Sequence, residues 1–234
     1  MQSSTEGCKI NNWEDVRFTI VYDNTSYVST LETSWGFSCY IETSRGNILF
    51  DTGWNGNTLL KNMTRLGISP DTIDKLVLSH NHWDHIGGLN HIITANTKLE
   101  AYIPTSFSKH LKDEVSKQVR TVEVYEPVEV LPGTWSTGEH GEHIKEQALL
   151  VGTKKGFVLV TGCSHPGLEV VLADARNHGE VYGVLGGFHG FHKFDALKGL
   201  QFVMPCHCTQ HMDEIEVYYN HVFVGGGVGK KVTI

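Results

Sequence analysis

Short apolar runs and helix-like apolar repeats alternate along most of the chain. The first three runs are rich in β-branched and aromatic residues and are separated by glycine or asparagine. They predict an antiparallel meander of strands at residues 17–22, 37–42 and 47–50. Apolar residues then recur at helical spacing from Leu59 to Leu66, and Gly67 is placed to end that helix.

Strands and helices continue to alternate after this first helix. Further strands are predicted at residues 75–78, 99–103, 148–151, 157–161, 181–185, 201–204 and 231–234. Further helices are predicted at residues 86–93, 107–115, 167–176 and 213–219. Such a mixture favours an α/β fold in which helices cover sheets in layers. The prolines are scattered and no linker-like segment interrupts the chain, so we expect residues 1–234 to form one domain.

Composition narrows the classes of function. The net charge is -7 and no basic cluster is present, which argues against phosphate-backbone binding and makes nucleic acid an unlikely partner. No stretch approaches the roughly 18 apolar residues of a membrane span, and residues 1–12 are polar. The cysteine count of 5 is odd, which does not suit a secreted disulfide framework. We therefore expect a cytoplasmic protein with a small-molecule substrate.

Histidine is the anomaly of the composition, with 14 residues in a chain of 234. The densest segment runs from Leu78 to Leu89 and reads LSHNHWDHIGGL. It brings His80, His82, Asp84 and His85 together directly after a buried strand. Imidazole and carboxylate ligands in this density suit Zn, and also Fe, Mn or Ni.

The HxHxDH pattern followed by GGL resembles the signature of the metallo-β-lactamase superfamily. FDTG at residues 50–53 and MPCH at residues 204–207 resemble two further marks of that superfamily in the right order. The resemblance implies an αβ/βα four-layer sandwich with one or two divalent metal ions, most often Zn, at its edge. Four more segments resemble one branch of the superfamily, the dihydropterin ribofuranosyl-aminobenzene phosphate synthase-like proteins. These segments are WGFS at 35–38, TGCSHPG at 161–167, GGFH at 186–189 and PCHCT at 205–209.

Carried onto these positions, the resemblance implies two sets of ligands. His80 and His82 would hold the first metal with His165 as their third partner. Asp84, His85 and His207 would hold the second.

Three residues receive roles other than that of ligand alone. Asp51 follows an apolar strand and is suited to accept an N–H from a ligand imidazole, which fixes the orientation of that ring. We expect Asp84 to move a proton as well as to bind metal. His189 follows a strand in a glycine-rich turn, where substrate contact or proton transfer is favoured over a metal role.

The chain departs from better-known hydrolases of the superfamily at one place. Those enzymes carry a Thr-Gly-Asp turn whose aspartate bridges two metals, and this chain has Cys163 there. Cys163 is either a thiolate ligand or a small packed side chain. Cys206 and Cys208 flank His207, and strand alternation predicts that both point away from the site. His140 and His143 are interpreted as surface residues.

Several functions are compatible with such a site. Hydrolysis of an ester, phosphoester or related substrate by metal-activated water is the first. The alternative implied by the branch is a metal-dependent transferase or synthase acting on a pterin and a ribofuranosyl-aminobenzene phosphate. An iron-containing redox or metal-sensing protein is the alternative of another class. Residues 106–129 and 190–198 are expected to shape the substrate pocket as loops, and core packing is favoured over substrate stacking for Trp35, Trp54 and Trp83.

Overall fold

A computed structural model describes residues 15–234, so the predictions made for residues 1–12 lie outside the described residues. The strands in this part are β1 (Arg17–Tyr22), β2 (Ser38–Thr43), β3 (Gly46–Phe50), β4 (Lys75–Val77), β5 (Glu100–Pro104), β6 (Arg120–Val124), β7 (Val128–Leu131), β8 (Thr134–Ser136), β9 (Leu149–Thr153), β10 (Gly156–Thr161), β11 (Val181–Gly187), β12 (Phe202–Cys206) and β13 (Lys231–Thr233). The α-helices are α1 (Gly56–Arg65), α2 (Trp83–Ile86), α3 (Leu89–Ala95), α4 (Lys109–Ser116), α5 (Leu168–His178) and α6 (Met212–Tyr219).

The strands form two sheets. The first has the order β13-β1-β2-β3-β4-β5-β6 and the second has the order β12-β11-β10-β9-β8-β7. Strands β1, β2 and β3 pair antiparallel, which confirms the predicted meander. Strands β3 to β6 run parallel to one another in the first sheet, and β10 to β12 do so in the second.

Alternation along the strands builds the layers. In β9, Leu149 and Val151 face the core between the two sheets, while Leu150 faces the helices on the outer side. One outer core joins the first sheet to α1, α3 and α4 through residues such as Leu59 and Ile92. The other outer core joins the second sheet to α5 and α6. The molecule is therefore the predicted αβ/βα four-layer sandwich.

Two predictions of local structure were wrong. The helix predicted over residues 86–93 is two short helices, because the chain turns at Gly87 and Gly88 between α2 and α3. Residues 106–129 are not loop throughout: α4 confirms the helix predicted at residues 107–115, and β6 and the first part of β7 follow it. Within the described part of the chain, no helix is long and apolar enough to cross a membrane.

Candidate metal centre

The predicted site residues lie together at one edge of the sandwich. Asp51 follows β3 and His80 follows β4, while His165, His189 and His207 follow β10, β11 and β12. These are the carboxyl ends of neighbouring parallel strands, which meet at the same edge of each sheet. The packing of the two sheets brings both edges together, so the rings of His80 and His165 have centroids 4.6 Å apart.

Backbone hydrogen bonds hold the turn that carries Asp84 and His85. The carbonyl of Asp84 accepts from the amide of Phe37 at 3.2 Å. The carbonyl of His85 accepts from the amide and the hydroxyl of Thr52 at 2.7 and 2.9 Å. Gly36 has φ +132°, and a Cβ there would lie 2.4 Å from the Asp84 carbonyl oxygen. The glycine is therefore required for the close approach of these segments.

We call His80, His82 and His165 the first triad. One ligand atom from each lies within 4.8 Å of the others, and Nε2 of His80 is 3.0 Å from Nδ1 of His82. His80 is buried, and the other two are partly buried. Three imidazole nitrogens that converge at this distance match the three-histidine ligand set of a catalytic Zn site.

We call Asp84, His85 and His207 the second triad. Their ligand atoms also lie within 4.8 Å of one another. Oδ2 of Asp84 is 3.2 Å from Nε2 of His207 and 3.8 Å from Nε2 of His85. Nε2 of His207 is buried and has no hydrogen-bond partner of good geometry among residues 15–234. A buried nitrogen left in this state fits a metal ion as its partner.

In His80 and His85, the ring nitrogen that points away from the centre faces an oxygen of the protein. Nδ1 of His85 lies 2.7 Å from Oδ2 of Asp51. The same carboxylate accepts from the amide and the hydroxyl of Ser79, both at 2.7 Å. Oγ of Ser79 lies 2.8 Å from Nδ1 of His80. When Nδ1 donates to these oxygens, the Nε2 lone pairs of both rings face the centre.

Glu146 orients the ring of His165 and also organises the turn that carries this residue. Oε2 of this buried carboxylate lies 3.0 Å from Nδ1 of His165 and accepts from the His165 amide at 3.0 Å. Oε1 accepts from the amides of Gly162, Cys163 and Ser164 at 3.1, 2.8 and 2.9 Å. One carboxylate therefore determines both the path of the turn and the orientation of the ring.

His207 is held by residues that follow β1. Its Nδ1 lies 3.0 Å from Oδ1 of Asn24, and its amide donates to Oδ2 of Asp23 at 3.2 Å. The side chain of Asn24 also donates to the carbonyl of His207 at 2.8 Å. Sequence reasoning identified Asp51 but missed Glu146, Asp23 and Asn24. A polar residue directly after a buried strand was the signal for Asp51; the same signal was present at Asp23 and Asn24, which follow β1, but not at Glu146, which precedes β9.

The electrostatics favour neutral imidazoles. Burial lowers the pKa values of His80 and His85 to about 3, so both rings have a free lone pair at neutral pH. Burial raises the pKa of Asp51 to about 7. Burial alone would also raise the pKa of Asp84. The hydrogen bond with His207 and the nearby His85 outweigh burial and hold the pKa of Asp84 well below its usual range.

Backbone strain is concentrated at this edge. Four residues other than glycine have positive φ in the described part of the chain: Asp51 at 58°, Ser164 at 60°, His189 at 45° and His207 at 50°. Each such residue costs about 1–3 kcal/mol. All four lie in the turns that follow β3, β10, β11 and β12, so the fold retains strain where it orients the site residues.

The two cysteines of the site contact each other. Sγ of Cys163 lies 3.2 Å from Nε2 of His85 and 3.2 Å from Sγ of Cys208. The prediction that Cys208 points away from the site was therefore wrong. The left-handed backbone at His207 ends the strand alternation on which that prediction depended. Cys206 does lie in the core between the sheets, as predicted.

His189 lies beside the first triad, with its ring centroid 4.9 Å from that of His165. Both residues line two cavities of about 250 and 640 Å³. His143 lines the larger cavity and is exposed, while His140 is partly buried, with Nε2 3.4 Å from Oδ2 of Asp174. The surface interpretation therefore suits His143 better than His140.

The expectation that three tryptophans pack in the core was wrong. Trp35, Trp54 and Trp83 are 55%, 54% and 71% exposed. The ring of Trp35 contacts His207 with centroids 5.0 Å apart. Trp83 lines a groove of about 440 Å³ that runs between the segment of α2 and α3 and helix α4.

Comparison with known proteins agrees with this geometry. Residues 36–198 match the metallo-beta-lactamase superfamily. The chain belongs to this superfamily. It is 30% identical to a 7,8-dihydropterin-6-methyl-4-(beta-D-ribofuranosyl)-aminobenzene-5'-phosphate synthase of Methanocaldococcus jannaschii, over 82% of this chain and 86% of the relative. It is also 30% identical to an uncharacterized protein of the same organism, over 92% of this chain and 99% of the relative.

Among solved structures, a similar one is Tm1679, described as a metal-dependent hydrolase of the beta-lactamase superfamily. The TM-score is 0.78 at 24% identity, and the match covers 94% of this chain and 99% of that one. This likeness concerns the fold.

Proposed function

We propose that this chain is a metal-dependent hydrolase that uses metal-activated water to cleave an ester, phosphoester or related bond in a small molecule. The observation that carries the proposal is the pair of neighbouring triads, each with its ligand atoms within 4.8 Å. The buried Nε2 of His207, which has no hydrogen-bond partner of good geometry among the described residues, adds to it.

The first triad would hold one divalent ion and the second triad another, with Cys163 as a further candidate ligand between them. Zn suits this donor set, and Fe, Mn or Ni also accept it. When bound, such ions lower the pKa of coordinated water from about 15.7 to about 7 and polarise a substrate oxygen.

The protein supplies the remaining steps. The low pKa of Asp84 keeps its carboxylate ionised, so it accepts a hydrogen bond from the attacking water and orients it. Burial lowers the pKa of His189, so its ring is neutral at pH about 7 and donates one N–H. His189 lines both cavities, so that N–H is available to stabilise negative charge that develops on a substrate oxygen.

The cavities beside His165 and His189 have volumes that suit a small molecule. The cytoplasm is the proposed location, because an odd number of cysteines, 5, does not suit a secreted disulfide framework.

A second candidate is a transferase or synthase that joins a pterin to a ribofuranosyl-aminobenzene phosphate. The relative with that name covers most of this chain, which favours it. The exposed ring of Trp83, beside the groove of about 440 Å³, offers a surface on which a pterin ring would stack.

The test is an assay of the zinc-loaded protein on phosphodiester, thioester, lactone and β-lactam substrates, with the pterin condensation assayed in parallel. We expect turnover in at least one hydrolytic assay and a loss of more than about a hundredfold in Asp84→Ala. The matched control, Asp71→Ala, removes an exposed carboxylate and keeps full activity. Absence of hydrolysis by the fully metallated protein would overturn the hydrolase, and condensation activity would then establish the transferase.

A further inference from the structure

Cys208 is a site residue to which neither the superfamily motif nor the two triads assign a role. Its Sγ lies 3.2 Å from Sγ of Cys163. The two sulfur atoms and a ring nitrogen of His207 all lie within 4.8 Å of one another. Sγ of Cys163 also lies within 4.8 Å of a ring nitrogen of His80, in the first triad, and of His85, in the second. Cys163 therefore lies between the two triads.

The local structure directs Cys208 towards the site. His207 has φ 50°, which turns the chain immediately after β12. Thr209 then anchors the turn, since its hydroxyl donates to the carbonyl of Cys206 at 2.7 Å and accepts from the amide of Phe188 at 3.1 Å.

A missing side chain on the neighbouring strand makes room for the thiol. A Cβ at Gly187 would lie 2.8 Å from Sγ of Cys208 and 3.2 Å from Cα of Cys163. The same Cβ would lie 2.2 Å from the carbonyl oxygen of Gly162, so only glycine fits at position 187, where backbone and thiol approach each other closely.

We propose that Cys208 is a thiolate ligand of the ion at the second triad, with Cys163 beside it on the side that faces the first triad. The inference rests on the proposed metal centre. Binding of each thiol to the ion releases its proton to solvent. Two sulfur donors make this end of the centre softer than the all-imidazole first triad, which favours Zn or Fe over Mn at this end.

Cobalt(II) reports directly on sulfur ligation. The reduced protein is loaded with Co(II) and its near-ultraviolet spectrum is recorded, because thiolate ligands give a charge-transfer band there and imidazoles do not. We expect this band in the wild type, with roughly half of its intensity lost in Cys208→Ser. The control, Cys206→Ser, changes a buried cysteine two positions away whose Sγ faces the core, and it leaves the band unchanged.

A full band in a folded Cys208→Ser variant overturns the proposal. So does the absence of the band in a wild type that has bound two cobalt ions. If the wild type binds no cobalt at all, the proposed function fails as well, so the two failures are distinguishable.

A second measurement needs no variant. The partly exposed thiol of Cys208 is alkylated with iodoacetamide in the wild-type protein, with and without Zn²⁺, and the rate is followed by mass spectrometry. We expect zinc to slow the reaction at least about tenfold, because the alkylating agent needs a free thiolate. Equal rates overturn the proposal even if Cys208→Ser fails to fold.

Discussion

At the scale of the residue, the centre depends on which nitrogen of each imidazole carries the proton. The oxygens of Asp51, Glu146 and Asn24 face Nδ1 of a ligand histidine at 2.7 to 3.0 Å. Acceptors at these places favour the Nδ1–H tautomer, which leaves Nε2 free to bind metal. In the proposed centre, the histidine ligands therefore depend on residues that would not touch the metal.

Glu146→Gln tests this dependence. The side-chain amide nitrogen of glutamine accepts no hydrogen bond. Where it replaces Oε2 of Glu146, the amide and Nδ1 of His165, now at 3.0 Å from that oxygen, lose their acceptor, and where it replaces Oε1, the amides of the turn lose theirs. We expect the zinc affinity of the first triad to fall by about 10- to 100-fold, as measured by competition with a coloured chelator. Glu126→Gln, which neutralises an exposed carboxylate, serves as the control. Unchanged affinity in Glu146→Gln would show that His165 is not a ligand or does not need this partner.

The sequence predicts ligands better than it predicts their partners. His80, His82, Asp84 and His85 lie within six positions, so their spacing alone indicates a metal site. Glu146 precedes the residues that it holds by 16 to 19 positions. Its role depends on the antiparallel return of β9 into β10, which local patterns do not reveal.

At the scale of the element, strands with a clear apolar pattern were predictable and strands of mixed character were not. The runs at β1, β10 and β11 are largely buried and were found within a few residues of their bounds. The missed strand β6 has only one buried residue, and β8 has three residues. Such strands are stabilised by pairing with neighbours more than by their own apolar residues.

A row of charges across β4, β5 and β6 supplies a test at this scale. Lys75, Glu100 and Arg120 are register partners, and Glu100 forms ion pairs with both basic residues, at 2.7 Å to Nε of Arg120. Burial alone would raise the pKa of Glu100, but hydrogen bonds from Lys75 and Tyr102 lower it. A lowered pKa in the folded state contributes stability above the unfolded value, and this contribution is lost as the pH falls through the folded value.

We therefore expect Glu100→Gln to lower the free energy of unfolding by about 1 kcal/mol at pH about 7. The difference from wild type should shrink as the pH falls below about 4, the ordinary range of an unfolded glutamate, and vanish once the pH has passed through the lowered pKa of the folded state. Urea unfolding at pH about 7 and again below pH about 4 measures this difference in the free energy of unfolding. Glu114→Gln, in an exposed ion pair with Lys117, is the control with little effect. A difference that stays constant across this range would contradict the account.

At the scale of the whole molecule, neither half of the chain forms the centre alone. The turn after β4 in the first sheet supplies His80, His82, Asp84 and His85. The turns after β10 and β12 in the second sheet supply His165 and His207. Each triad thus takes ligands from both sheets, so the centre forms only when the two halves pack.

The pairing of halves was partly visible in the sequence. A strand followed by Ser-His occurs at residues 79–80 and again at 164–165, and both histidines reach the first triad. The resemblance to the superfamily implied that His80 and His165 bind the same metal ion. The contact between Cys163 and Cys208 was not predictable, because it depends on the left-handed backbone at His207.

Metal content tests the two-triad centre most directly. Elemental analysis is performed on the protein after zinc loading and removal of free zinc, for the wild type and for His82→Ala. The account predicts about two ions per chain in the wild type and about one in His82→Ala, since this substitution leaves the first triad with two imidazoles and does not touch the second. A wild type without bound zinc, or a His82→Ala variant that keeps two ions, would contradict it.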